Sequence, residues 1–151
     1  MDQNFKNDVM NWLQKYGCNE VRDIISGSEY AYWIEDHTIM VGSEVFDCTA
    51  DWFVEYLEDR GCECYGISDD VLSFLHEVGH SMTIHSIADD DLAFYGNLKH
   101  MFWNEDKLKD SVMVYWDIPD ERAANEWEIQ FINENPDAVI ELMEIFERSS
   151  I

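Results

Sequence analysis

Residues 74–85 read FLHEVGHSMTIH, three histidines and a glutamate inside a run that begins apolar. The stretch has a strong helical start. Ser68 is placed to cap, Asp69 and Asp70 follow where a helix N-terminus favours negative charge, and Val71, Leu72 and Leu75 supply an apolar face. At about 100° per residue, His76 and His80 stand one turn and roughly 40° apart, so both imidazoles leave the same side. Leu72, Leu75, Gly79 and Thr83 share or flank that side, which therefore points inward. A glycine inside a helix costs about 1 kcal/mol relative to alanine. Gly79 thus marks a place where another element approaches closely.

His76-Glu77-Val78-Gly79-His80 fits H-E-x-x-H. Two imidazoles one turn apart provide half of the tetrahedral set that Zn²⁺ requires at about 2.0–2.1 Å. Glu77 lies about 60° round from His80, where its carboxylate reaches a water acidified by the ion without ligating the ion itself. That is the position of a general base. His85 lies about 180° from His76 and about 140° from His80, so it reads as a surface or helix-end residue. It also misses the third-histidine spacing of the metzincins. His37 lacks a local partner pattern, and so does His100.

Two histidines need a third protein ligand. Residues 121–127 read ERAANEW, behind Pro119 at the start of a further helix. On that helix Glu121 shares a sector of about 100° with Ala124, Phe131 and Ile132, so it points toward the core, where a lone carboxylate is costly. A metal would be its partner, and Ala124 is small enough to let the two helices close. Glu121 is thus the expected ligand, with Glu126, Asp120 and His100 as substitutes.

Outward from this centre, residues 2–16 read as a helix ended by Gly17. "YAYWIED" and "HTIMVG" read as a hairpin of two strands, and residues 49–61 as a helix capped by Thr49 and stopped by Gly61. Residues 89–109 read as mostly helical, "SVMVYW" as a third strand or extended connection, and a last helix follows Asn135-Pro136. The expected fold class is α+β: a single, mainly helical domain spanning 1–151 with a small β-sheet. With 151 residues and 46% hydrophobic content, the chain can bury a real core. A formal charge of −24 repels phosphate backbones and anionic membranes and attracts basic protein surfaces. Cys18, Cys48, Cys62 and Cys64 do not follow zinc-knuckle spacing and read as reduced structural thiols. "MDQNFKNDVMNW" does not read as a signal peptide, and no run is apolar enough to span a bilayer, so a cytoplasmic location is expected.

H-E-x-G-H on one helix, followed by E-x-x-A-N-x-aromatic on a later one, resembles the ImmA/IrrE-type metallopeptidases, small gluzincin-like proteins of bacteria, phages and mobile elements. The likeness covers residues 74–85 and 121–127. Glu128 stands where the family's second motif usually continues with alanine. The resemblance implies a minimal zincin-like domain whose small β-sheet backs the H-E-x-x-H helix, Zn²⁺ held by His76, His80 and Glu121, Glu77 as general base, and a protein substrate of the DNA-binding repressor type. Such a peptidase also needs a donor to the developing oxyanion. Tyr95, His100 and Tyr115 are the candidates. A contrasting reading of the same composition is an acidic, DNA-mimicking or protein-binding module on a zincin-like scaffold without catalysis.

Overall fold

The computed structural model describes residues 1–42, 47–103 and 109–149, the side chains of 47–49 and 101–103 excepted. In chain order the elements are α1 (Gln3–Lys15), β1 (Asp23–Gly27), β2 (Ala31–Trp33), β3 (Thr38–Gly42), α2 (Asp47–Asp59), α3 (Asp69–Thr83), a single 3₁₀ turn (Ile84–Ser86), α4 (Asp89–Trp103), α5 (Lys109–Trp116), α6 (Pro119–Glu134) and α7 (Pro136–Ser149). This is the expected mainly helical α+β architecture.

The sheet has the order β1-β3-β2. β2 and β3 form the expected antiparallel hairpin, with Tyr32 opposite Ile39. His37 turns it with φ of 51°, a left-handed conformation that only a minority of non-glycine residues adopt. Its Nδ1 lies 3.0 Å from the Tyr32 hydroxyl, which ties the turn to the strand. β1 was not foreseen. It adds a parallel strand beside β3, pairing Ile24 with Ile39, and both side chains are buried. α3 packs against β2 and β3, so the sheet backs the histidine helix as expected. The Tyr30 hydroxyl donates to Asp70 Oδ1 at 2.8 Å and fastens the approach to β2 to the first turn of α3.

Two local expectations need correction. "SVMVYW" is α5, not a strand. Val112 and Trp116, four apart, are buried while Val114 between them is exposed, which is a helical pattern. Packing overrides the β-branched preference here: Trp116 lies against Phe53 and Tyr56, with ring centroids 5.0 and 5.4 Å away. α2 starts at Asp47, so Thr49 lies inside the helix rather than at its cap. α7 starts at Pro136 as foreseen: the Asn135 carbonyl accepts from the Val139 N–H at 3.2 Å, while the Asn135 side-chain amide donates to the Phe131 carbonyl at 3.1 Å and closes α6. The Ser68 cap of α3 is as read, its Oγ accepting from the Val71 N–H at 3.3 Å.

The helix pair that positions the site is α3 with α6. The two helices crowd together at Gly79, where an added Cβ would stand 2.5 Å from the Ala124 carbonyl oxygen and 3.1 Å from Ala124 Cα. The obstacle is backbone, which cannot swing aside, so Gly79 sets the distance between the helices. Replacing Gly79 by alanine is expected to force them apart and to destabilise the fold by about 1–3 kcal/mol, despite alanine's better helix propensity. Thermal unfolding with and without added zinc checks this, and the variant should also lose most of its zinc-induced rise in Tm. An unchanged Tm would mean that α6 does not rest on Gly79.

Candidate metal centre

His76 and His80 leave the inner face of α3, and Glu121 leaves the first turn of α6 directly opposite. His76 Nε2 is 3.0 Å from Glu121 Oε1, and His80 Nε2 is 2.9 Å from Glu121 Oε2. One ligand atom from each residue lies within 4.8 Å of the others, and the three residues are buried. Three donors at about 2.0–2.1 Å from a tetrahedral ion stand roughly 3.3 Å apart. The two histidine–carboxylate distances fall a few tenths of an ångström short of that. Two imidazoles and a carboxylate form a donor set that suits zinc, and the group can hold a metal ion.

His76 is oriented from behind. Its Nδ1 lies 2.7 Å from Asn125 Oδ1, while Asn125 Nδ2 donates to the Trp116 carbonyl at 3.2 Å. That second bond fixes which end of the amide faces the ring. Nδ1 then carries the proton it donates, and Nε2 is turned to the ligand position. The Trp116 carbonyl also accepts from the Tyr56 hydroxyl at 3.1 Å. α2 and α6 thereby meet the end of α5 at one oxygen, and Asn125 carries the link on to the motif helix. Sequence reasoning assigned Asn125 no role. The available signal was its spacing: four after Glu121, it emerges on the same face of α6.

Lys99 on α4 was also missed. Its Nζ donates to Glu121 Oε2 at 2.7 Å and contacts Asp120 Oδ2. Asp120, an alternative ligand in the sequence reading, is thus engaged by lysine and is not part of the triad, although it is buried and lines the same cavity. Glu126 is exposed and His85 is exposed on the 3₁₀ turn, away from the ligand group.

Charge in the pocket follows from burial and pairing. Burial alone would push the Glu121 carboxyl up, but His80 and His76 against its oxygens outweigh it and hold it well below the usual range. Burial would push His76 down, but the hydrogen bond and charge of Glu121 prevail and raise it to about 10. Glu77 is 9% exposed, and burial raises its carboxyl above the usual value against the pull of His76 and His80. The shift makes Glu77 a stronger proton acceptor than an ordinary glutamate.

The triad opens into a cavity of about 580 Å³. Its walls include Glu77, Lys99, His100, Tyr115 and the β2 residues Ala31 and Tyr32. Tyr115 and His100 thus lie where donors to a substrate could stand. Tyr95 is not among the lining residues and packs its ring against Phe94, centroids 6.0 Å apart. Burial pushes the Tyr115 phenol far up, which keeps it a proton-bearing donor. Cys18, Cys62 and Cys64 are buried free thiols, and burial pushes the Cys62 and Cys64 thiols up, which keeps them protonated. No helix among the described residues is long and apolar enough to cross a membrane. Compared with models of known protein families, with curated proteins and with solved structures, the chain finds no match.

Proposed function

We propose that the protein is a zinc-dependent endopeptidase of the ImmA/IrrE kind, acting in the cytoplasm on a protein substrate with a basic surface. The observation that carries this reading is the meeting of His76 Nε2, His80 Nε2 and the Glu121 carboxylate across α3 and α6, with Glu77 in the same cavity. Zinc held by those three residues supplies Lewis acidity toward a carbonyl and acidifies water. Glu77 takes the proton from the attacking water and returns it to the leaving amine, so its carboxylate ends as it began. Asn125 keeps His76 in the tautomer that leaves Nε2 for the ion. The Tyr115 phenol and the His100 ring are donors within the cavity for the oxyanion.

A peptide substrate is favoured over a small ester or amide by β2. It lies at an edge of the sheet as described, and its residues line the cavity, so an extended chain can add to it through main-chain hydrogen bonds. The charge of −24 favours substrates of opposite sign, such as the DNA-facing surface of a repressor.

The test is incubation of zinc-loaded protein with an unstructured basic protein and with an acidic one, reading new N-termini by mass spectrometry. Cleavage of the basic substrate is expected to be faster, to stop on chelation and to return with one equivalent of zinc. Cleavage that survives complete metal removal, or no cleavage of either substrate by fully loaded protein, would sink the proposal.

A further inference from the structure

We propose that Lys99 is a resident counter-cation for the metal centre: it stands in for the ion when the site is empty and thereby limits how tightly the ion is held. This rests on the metal reading above and adds a determinant of affinity that H-E-x-x-H and Glu121 do not contain.

Lys99 reaches in from α4 to two neighbouring carboxylates of α6. Its Nζ is 2.7 Å from Glu121 Oε2, the same oxygen that lies 2.9 Å from His80 Nε2, and it contacts Asp120 Oδ2 as well. Glu121 and Asp120 are 4% and 5% exposed, and Glu77 adds a third carboxylate to the same cavity. The imidazoles of His76 and His80 face Glu121, and the ammonium is the cation that also meets Asp120, so it eases the repulsion among these carboxylates in a medium that screens poorly. The ammonium therefore lets the pocket form before metal arrives.

The same charge opposes the ion. A divalent cation on Glu121 shares that carboxylate with a fixed positive charge, which weakens the carboxylate as a donor and repels the ion directly. Groups behind metal ligands commonly change affinity by about 10–100-fold, and those partners are usually acceptors that strengthen the ligand. Here the partner is a cation, so the sign reverses. Lys99 is not needed to aim Glu121. The approach of α6 to α3 is set at Gly79 and Ala124, and the imidazoles meet the carboxylate at both oxygens. The charge effect should therefore outweigh any loss of orientation.

The experiment compares wild type, Lys99→Gln, Lys99→Met and Lys99→Arg by zinc competition against a chromophoric chelator, and by thermal unfolding of metal-free and zinc-loaded protein. Glutamine removes the charge and keeps an N–H donor one bond shorter in reach, and methionine removes charge and donors together. The glutamine variant is expected to bind zinc about tenfold tighter or more, to melt lower without metal, and to gain more Tm on adding zinc. Methionine should behave the same way, and it carries the comparison if the glutamine variant does not fold. Arginine should stay within about twofold of wild type. Unchanged or weaker zinc binding in both neutral variants overturns the inference, as does an arginine variant that follows them. If neither wild type nor the neutral variants take up zinc, the metal reading itself fails and this inference falls with it.

Discussion

Replacing Glu77 by glutamine is expected to leave the zinc content unchanged and to lower peptide hydrolysis by about 10²–10⁴-fold, the usual contribution of a positioned general base. Glutamine has nearly the same shape, so the packing of α3 on the sheet and on α6 survives. The amide cannot accept the proton that the buried carboxylate takes. Because Glu77 is neither His76, His80 nor Glu121, the ligand atoms that meet across the helices are untouched. Metal analysis and initial rates on a fluorogenic peptide check both halves together. The pH profile provides a third readout. Glu77 acts only when ionised, and burial raises its carboxyl above the usual value. Wild-type activity should therefore be lost as the pH falls, beginning at a higher pH than an exposed glutamate would give. A variant that keeps more than about a tenth of the wild-type rate would remove Glu77 from the chemistry. A variant that loses its zinc would make Glu77 a structural support instead.

The histidine helix was legible in the sequence because every level agreed. The cap, the acidic first turn, the apolar face and the two histidines all required the same helix, and Gly79 announced a close neighbour whose identity, Ala124, follows from the spacing after Glu121. Other features depended on geometry that no local pattern carries. Asn125 matters because the Trp116 carbonyl is placed to hold its amide, and that carbonyl belongs to a helix whose sequence reads equally well as a strand. Lys99 sits on α4, where Phe94 is exposed and Leu92 and Leu98 are only half-buried, so the apolar face is weak and no lysine stands out. β1 is five residues with two adjacent isoleucines, only one of them buried. It exists because β3 offers a partner, and nothing in its own alternation requires it.

Glu128 carries the second large expectation. It lies two turns beyond Glu121 on α6, is 0% exposed, and neither of its carboxylate oxygens has a hydrogen-bond partner among the described residues. Burial pushes its carboxyl well above the usual range, His76 pulls it down, and Glu77 pushes it up again. The folded protein therefore keeps a proton there that the unfolded chain releases above about pH 4.3. A group whose pKa rises on folding lends its full stability below the unfolded value and loses it as the pH climbs toward the folded one. Across that window each pH unit is expected to cost up to about 1.4 kcal/mol of stability. Replacing Glu128 by methionine should remove this slope. At neutral pH it should also stabilise the protein by about 1–3 kcal/mol, the usual penalty for burying a polar group without a partner. Glutamine should flatten the slope without that gain, because it cannot ionise but still buries an amide. Urea unfolding of the three proteins between pH 4.5 and 8 separates these outcomes. A methionine variant with the wild-type slope would place the pH sensitivity elsewhere, and one less stable at every pH would mean that the buried carboxyl is satisfied and contributes to the fold. The Glu128 carboxyl is coupled electrostatically to His76 and Glu77, so its ionisation bears on the centre as well as on the fold. Held protonated, it adds no charge to the centre, and only as the pH climbs toward its raised value does it set a buried anion against Glu77 and beside His76.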